Sequence, residues 1–207
     1  MSNYAPVEKR YNADEFMKYI ETERKKPGNE DRHYELIDGV IYMMSSPNEI
    51  HFDLSEFIDA ILKNYFVSKN CKVYHAPYDL YLFDKKKFII FPPSKTECND
   101  VLIPDLMVVC DKRKRKPDGV YGAPDLIVEI VSKSNSKNDY VRKLNVYLTF
   151  GVNEYWIVDP IKKKITVYDN TSDEFLFYDY TFNDIVKSTV FDGLIINFKQ
   201  FQGFAEE

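Results

Sequence analysis

The segment that most constrains the fold is the run LIVEIV, residues 126–131, which is apolar on both side-chain parities except at Glu129. A strand with two apolar faces is typical of the middle of a sheet that is covered on both sides. An ionised carboxylate in such a strand is costly unless a cation or hydrogen-bond donors lie beside it. The run therefore predicts a buried central strand whose one acid needs a partner.

A helix predicted shortly after this strand offers that partner. Residues 138–150 place Leu144 and Tyr147 at helical spacing, and Lys143 falls at the edge of the apolar stripe. A lysine at that edge can point back toward the strand that carries Glu129. The pattern therefore predicts an interaction between Lys143 and Glu129.

A second lone acid, Asp105, lies in VLIPDLMVVC, residues 101–110, which predicts a second buried strand. Two carboxylates buried close together repel unless a cation lies between them. If the two strands are neighbours, the side chains of Asp105 and Glu129 come within about 5 Å of each other. Because Mg²⁺ and Mn²⁺ prefer oxygen ligands, the two acids predict a metal site. Such a metal would activate water for attack on a phosphate, and Lys143 would hold or deprotonate that water. The alternative is a structural pair of acids satisfied by a lysine or by backbone amides.

Two other side chains are candidates for this site. Asp125 lies about 13 Å from Glu129 along the same strand, too far to share one metal, so it is interpreted as serving the preceding turn. His51 follows a predicted helix start at Ser46 and the inward-facing Ile50, so it is either a site participant or a packed, hydrogen-bonded histidine. His33 and His75 are the other two histidines, and they are interpreted as structural.

The remaining pattern predicts a single domain, residues 1–207, of α/β or α+β class around a mixed central sheet flanked by helices. Asn12 predicts the cap of an N-terminal helix, and Asp38-Gly39 predicts a hairpin turn. The core would span about residues 34–160. A C-terminal β-hairpin extension would follow, over residues 164–201.

Composition restricts the functional classes. With a net charge of −5 and a pI near 5.4, the surface as a whole is not typical of nucleic-acid binding. Basic runs at residues 85–87, 112–116 and 162–164 are interpreted as solvated loops. The three cysteines predict reduced thiols in a cytoplasmic protein, and neither a signal peptide nor a membrane span is expected.

Four ordered motifs resemble the Uma2 family, which belongs with the PD-(D/E)XK, or restriction endonuclease-like, fold. They are PDLMVV at 104–109, GAPDLIVEIVS at 122–132, DYVRKLNVY at 139–147 and GVNEYWIVDP at 151–160. The resemblance covers roughly residues 12–200. It implies a metal-dependent phosphodiesterase core, with Asp105 and Glu129 as ligands of Mg²⁺ or Mn²⁺ and Glu35 as an acid near the metal. From the sequence alone, Glu35 could equally be an exposed residue of the first hairpin strand.

One position departs from the wider superfamily. The named motif has a lysine two residues after its acid, and this chain has Val131 there. Many members of the fold move the lysine to the following helix, where Lys143 lies. If Lys143 points outward, the hydrolytic interpretation loses a necessary group.

Two classes of function follow from these residues. The first is a metal-dependent endonuclease acting on DNA, with Asp105, Glu129 and Lys143 at its centre and Glu35 and His51 beside them. The second is a catalytically inactive module of the same fold that binds nucleic acid or a protein. A homodimer formed through exposed aromatic side chains is a further, weaker expectation.

Overall fold

The computed structural model describes residues 9–83, 93–132, 138–172 and 174–204. The three α-helices are α1 Ala13–Glu23, α2 Glu49–Phe66 and α3 Leu144–Phe150. The predicted capping box of α1 is present, because the Asn12 side chain accepts from the N–H of Glu15 while the Glu15 carboxylate accepts from the N–H of Asn12. The start of α2 differs from the prediction: Asn48, not Ser46, is the cap and accepts from the N–H of His51.

Fourteen strands are described, in three sheets. They are β1 Tyr34–Ile37, β2 Val40–Met43, β3 Lys72–His75, β4 Leu80–Leu82, β5 Asp100–Leu102, β6 Leu106–Val109, β7 Arg115–Lys116, β8 Gly119–Tyr121, β9 Leu126–Ile130, β10 Glu154–Asp159, β11 Lys164–Asp169, β12 Leu176–Thr181, β13 Ile185–Lys187 and β14 Ile195–Asn197. Sheet A has the order β2-β1-β5-β4-β8-β7, sheet B has the order β12-β11-β10-β9-β6-β3, and β13 pairs with β14. Both large sheets are mixed, since β4 and β8 are parallel in sheet A and β9 and β10 are parallel in sheet B.

The predicted class of mixed sheet with flanking helices is confirmed, but the strands divide between two six-stranded sheets. The prediction of one buried strand over residues 101–110 is wrong. The chain leaves sheet A after Leu102 and enters sheet B at Leu106. Pro104 lies between these two residues and has no N–H to donate to a ladder, so it suits the break. Asp105 therefore lies where the chain crosses from one sheet to the other.

The layers follow from the alternation of side chains along the strands. Helix α2 packs through Leu54 and Ile58 on the face of sheet B that carries Val128. The opposite face of sheet B, which carries Ile127, packs against Ile37 of sheet A. Helix α1 covers the outer face of sheet A. By the same alternation, Glu129 and Glu35 face the space between the two sheets.

The cysteines differ from the prediction of reduced thiols. Cys71 and Cys110 form a disulfide, while Cys98 is a free, buried thiol. The two bonded cysteines are 39 residues apart in the sequence. They meet because β3 and β6 pair with Lys72 opposite Val109, which places the flanking cysteines opposite each other.

No helix in the described ranges is long and apolar enough to cross a membrane. The C-terminal strands form the predicted extension: β11 and β12 continue sheet B, and β13 and β14 form a separate ribbon.

Candidate active site

A lysine inserted between two carboxylates forms the centre of the site. The Nζ atom of Lys143 lies 2.9 Å from Oε1 of Glu129 and 2.9 Å from Oε1 of Glu35. Lys143 is only 3% exposed, and both acids are buried as well. Buried charges are tolerated when they are paired and hydrogen-bonded, and the ammonium satisfies that condition for both acids.

Neutral donors also contact the two acids. The hydroxyl of Tyr147 donates to Oε1 of Glu129 at 2.6 Å, and the N–H of Ile103 donates to Oε1 of Glu35 at 3.0 Å. Burial, and then the negative charges of Glu129 and Glu35, raise the pKa of Tyr147 well above its usual value. Its phenol therefore stays protonated and acts as a hydrogen-bond donor.

The local sequence explains why these groups meet. Lys143 and Tyr147 are four residues apart, so they share one face of the helical segment and both reach Glu129. Lys143 is the last residue of a π-helical turn, Asn138–Lys143, which leads directly into α3. Such wide turns occur often at functional sites. The predicted contact between Lys143 and Glu129 is therefore present.

Asp105 and His51 form a second pair beside this centre. The Oδ2 atom of Asp105 lies 3.1 Å from Nε2 of His51 and accepts from the N–H of Ile130 at 2.6 Å. Strands β6 and β9 pair with Leu106 opposite Val128, and continuing that register places Asp105 opposite Glu129. The predicted neighbourhood of the two strands is thus observed.

An open cleft of about 540 Å³ gives access to this arrangement. Four of the five predicted site residues line it, namely His51, Asp105, Glu129 and Lys143. Glu35 is not among the lining residues and holds Lys143 from behind. The structure therefore brings all five side chains together, while their chemical roles stay predictions.

Two histidines interpreted as structural from the sequence, His33 and His75, also line the cleft. His75 ends β3, where it lies opposite Leu106, so strand pairing brings it next to Asp105. No neighbouring residue in the sequence marks either histidine as part of a site. Only knowledge of the β3–β6 pairing would have identified His75.

Asp125 has the structural role that the sequence predicted. Its Oδ2 atom accepts from the N–H of Cys110 at 2.7 Å, which ties the start of β9 to the end of β6. It is not among the residues that line the cleft.

The donor set fits a divalent cation held by two carboxylates. Asp105 and Glu129 are hard oxygen donors on adjacent strands that line one cleft. The contacts of the Asp105 carboxylate with His51 and with the N–H of Ile130 both involve Oδ2. No group of three His, Cys, Asp or Glu side chains that could hold an ion occurs within the described ranges. Since Mg²⁺ commonly uses one or two carboxylates and retains several waters, two acids are sufficient.

Two of the basic runs that are predicted to be solvated loops lie at residues 85–87 and 112–116. Residues 85–87 lie outside the described residues. In the run 112–116, Lys114 donates to the carbonyl of Ala123, and Arg115 donates to the carbonyl of Val109. These two cations are thus engaged with the protein's own backbone.

Comparison with known proteins matches residues 14–199 to the Uma2 family, described as "Putative restriction endonuclease". An uncharacterised protein of Synechocystis sp. is 23% identical over 173 residues, which cover 83% of this chain and 80% of that protein. The crystal structure of "a putative nuclease belonging to DUF820" from Anabaena variabilis matches with a TM-score of 0.62 and 17% identity, over 86% of this chain and 89% of that one. At this identity the structural likeness shows the fold alone.

Proposed function

The chain belongs to the Uma2 family, and on that premise we propose that it is an endonuclease that hydrolyses phosphodiester bonds in DNA with the help of Mg²⁺ or Mn²⁺. The observation that carries the proposal is the placement of Lys143 at a cleft, between Glu35 and Glu129 and beside Asp105. A buried cluster of charges is costly to maintain, and clusters that open to a cleft are typical of functional sites.

Asp105 and Glu129 would hold the cation. A bound divalent cation supplies a water of lowered pKa and offsets negative charge at the phosphate. His51 is a positioning residue in this scheme, because its contact with Oδ2 of Asp105 fixes the orientation of that carboxylate.

Lys143 would orient the attacking water and offset negative charge that grows on the phosphate oxygens. Glu35 is a positioning residue, because its carboxylate holds the ammonium 2.9 Å away without lining the cleft. Lys143 would thus perform the role of the motif lysine, which in the wider superfamily lies at the strand position that Val131 occupies here.

A cleavage assay tests the proposal. Purified protein is incubated with supercoiled plasmid and with circular single-stranded DNA, in Mg²⁺ or Mn²⁺. Wild type is expected to open the circles, and Glu129→Gln and Asp105→Asn to slow the cleavage by about 100-fold or more. Lys187→Ala, at an exposed lysine in β13, is the control and should cut at the wild-type rate. Equal cleavage by wild type and both acid variants would refute the assignment.

A second candidate is a non-catalytic module that binds nucleic acid or a protein partner. It is favoured by the contact of Lys143 with both Glu35 and Glu129, which offsets part of the negative charge of the site without any ion. Calorimetric titration with Mn²⁺ separates the two candidates. The endonuclease should show a Mn²⁺ site that Asp105→Asn abolishes, and the module should show none.

Cutting both strands of a duplex in one binding event calls for two active sites, so a homodimer forms part of the endonuclease proposal. Exposed aromatic side chains, including Phe175 and Phe177, offer surface for such an association. Analytical ultracentrifugation with and without DNA measures it.

A further inference from the structure

A second pocket, of about 680 Å³, combines lysines with phenylalanine rings. Lys162, Lys163 and Lys199 line it, together with Phe182 and Phe201. No acidic side chain is among its lining residues in the described part of the chain. The charged side chains that line the pocket are three lysines, and Nζ of one of them, Lys162, lies 3.6 Å from Oδ2 of the buried Asp159. The local charge is therefore opposite in sign to the net charge of −5 of the whole chain. Positive side chains set between apolar walls attract anions more strongly than isolated surface lysines do.

The turn between β10 and β11 holds two of these lysines in place. Asp159 is 1% exposed, and its Oδ1 atom accepts from the N–H groups of Ile161 and Lys162, each at 2.9 Å. The backbone of Lys163 has φ +50°, a left-handed conformation that residues other than glycine seldom adopt. The Nζ atom of Lys163 lies 5.1 Å from the centroid of the Phe204 ring. Two consecutive cations are thus presented by a fixed turn against an apolar wall.

The pocket lies at the same end of sheet B as the cleft. Strands β9 and β10 are parallel, and the N–H of Val131 donates to the carbonyl of Val158 at 2.8 Å. Ile130, just before that contact, lines the cleft, while Lys162 follows Val158 by four residues. Strand spacing and the length of four residues place Lys162 within about 20 Å of the cleft residues on β9.

Helix α2 provides a second connection between the two sites. Phe57 packs against Phe198 and Phe201, whose rings line the lysine pocket, with centroid distances of 5.9 and 5.5 Å. Ser55 and Glu56, the preceding two residues of α2, line the cleft. The lysine pocket and the cleft therefore lie on two sides of the same helical turn.

We propose that the lysine pocket binds backbone phosphates of the DNA whose scissile phosphate lies in the cleft. This inference rests on the proposed function, and it identifies where a protein of acidic net charge holds a polyanion. At about 3.4 Å per nucleotide, at most roughly six nucleotides of one strand span the separation of the two sites. Because the contacts are to phosphate, the pocket adds affinity and fixes the position of the DNA strand without recognising its base sequence.

Binding measured without divalent cations tests the inference apart from hydrolysis. Fluorescence anisotropy of labelled single-stranded and duplex DNA, in EDTA, compares wild type with Lys162→Ser/Lys163→Asn/Lys199→Ser. Asparagine is chosen at position 163 because it tolerates the left-handed backbone. The control triple, Lys18→Ser/Lys25→Ser/Lys187→Ser, removes the same charge from exposed lysines elsewhere.

The pocket triple is expected to raise Kd by about tenfold or more at low salt and to reduce the salt slope by about 2, while the control changes Kd by less than about threefold. Equal weakening by the two triples, or no DNA binding by wild type, would overturn the inference. If wild type cuts DNA but the triples bind alike, the inference fails and the endonuclease assignment stands. If only the pocket triple binds weakly and wild type does not cut, the pocket stands and the assignment fails. Matching thermal unfolding of both triples shows that folding is preserved.

Discussion

Glu129 and Glu154 are both buried carboxylates on neighbouring parallel strands of sheet B, but they have different partners. Glu129 lies near the carboxyl end of β9, where it accepts from Lys143 and Tyr147 and lines the cleft. Glu154 begins β10 and accepts only neutral donors, which are Trp156 Nε1, Ser188 Oγ and the N–H groups of Thr189 and Val190.

The difference shows which features mark a site. Glu154 is fully buried and closes a loop onto the sheet, so its role is structural. Glu129 is paired with a cation and lines a cleft near the carboxyl ends of the strands, where ligands of open mixed sheets commonly bind. A buried acid alone therefore does not indicate a catalytic site. The charge of its partner and its access to solvent distinguish a candidate catalytic carboxylate from a structural one.

The strongest test of this contrast removes the cation. Lys143→Met leaves Glu35 and Glu129 buried without a positive partner, so the free energy of unfolding should fall by about 3–5 kcal/mol. Denaturant titration at neutral pH measures it. Lys187→Met, at an exposed lysine, should change stability by less than about 0.5 kcal/mol.

Adding Glu35→Gln to Lys143→Met should recover part of the loss, because one of the two unpaired charges disappears. The double-mutant cycle is expected to give a coupling of about 1–3 kcal/mol. Purely additive losses would show that Lys143 does not interact with Glu35 as described.

Removing one hydroxyl donor from each carboxylate compares Glu129 with Glu154 directly. Tyr147→Phe removes the donor at 2.6 Å from Glu129, and Ser188→Ala removes the donor at 2.5 Å from Glu154. The first should destabilise the fold by about 2 kcal/mol. The second should cost about 1–2 kcal/mol, because Glu154 keeps three other donors but the Ser188 hydroxyl also accepts from the N–H groups of Val190 and Phe191. Only Tyr147→Phe should slow DNA cleavage. A Ser188→Ala enzyme that cuts more slowly would contradict the structural role of Glu154.

Glu154→Gln tests the same division at the acid itself. The carboxylate accepts four hydrogen bonds, and an amide nitrogen in place of one oxygen would face donors, so stability should fall by about 1 kcal/mol. Cleavage should be unchanged, in contrast to Glu129→Gln. Equal loss of cleavage in the two variants would remove the distinction between them.

The smallest expected effect is in pH dependence. Burial raises the pKa of Glu154 above 4.5, although its hydrogen bonds act in the opposite direction. The folded state therefore binds this proton more tightly than the unfolded state does. The stabilising contribution is complete below pH 4.5 and is lost as pH rises through the folded pKa.

The stability difference between wild type and Glu154→Gln should accordingly fall as pH rises from 4 toward neutrality. Asp179 gives a control of opposite sign: although burial raises its pKa, hydrogen bonds from Lys164 and Thr166 produce a net lowering. The difference between wild type and Asp179→Asn should therefore grow as pH rises from acid, and parallel curves for the two variants would contradict both assignments.

Short-range features of the site were predictable from the sequence. The apolar run around Glu129 and the helical spacing of Lys143 and Tyr147 required only one strand and the helix after it. Asp125 and the hairpin turn at Asp38-Gly39 were predictable for the same reason. In that turn both residues have the positive φ that its geometry needs.

Long-range features were not predictable. The switch of sheets at Pro104 changes which strands are neighbours, although a proline within a supposed central strand was itself a signal. The pairing of β3 with β6 joins Cys71 to Cys110 and brings His75 to the cleft, and no local pattern encodes it. Glu154 also follows the pattern of a lone acid beginning a buried strand, so the pattern alone could not separate it from Glu129.

Anomalous diffraction from a crystal grown with Mn²⁺ tests the proposed metal site directly. A Mn²⁺ peak is expected at about 2.1–2.2 Å from a carboxylate oxygen of Asp105 and from one of Glu129, with Lys143 still held by Glu35. Density for Mn²⁺ elsewhere, or none at this cleft at saturating Mn²⁺, would contradict the claim that these two acids form a metal-dependent hydrolytic site.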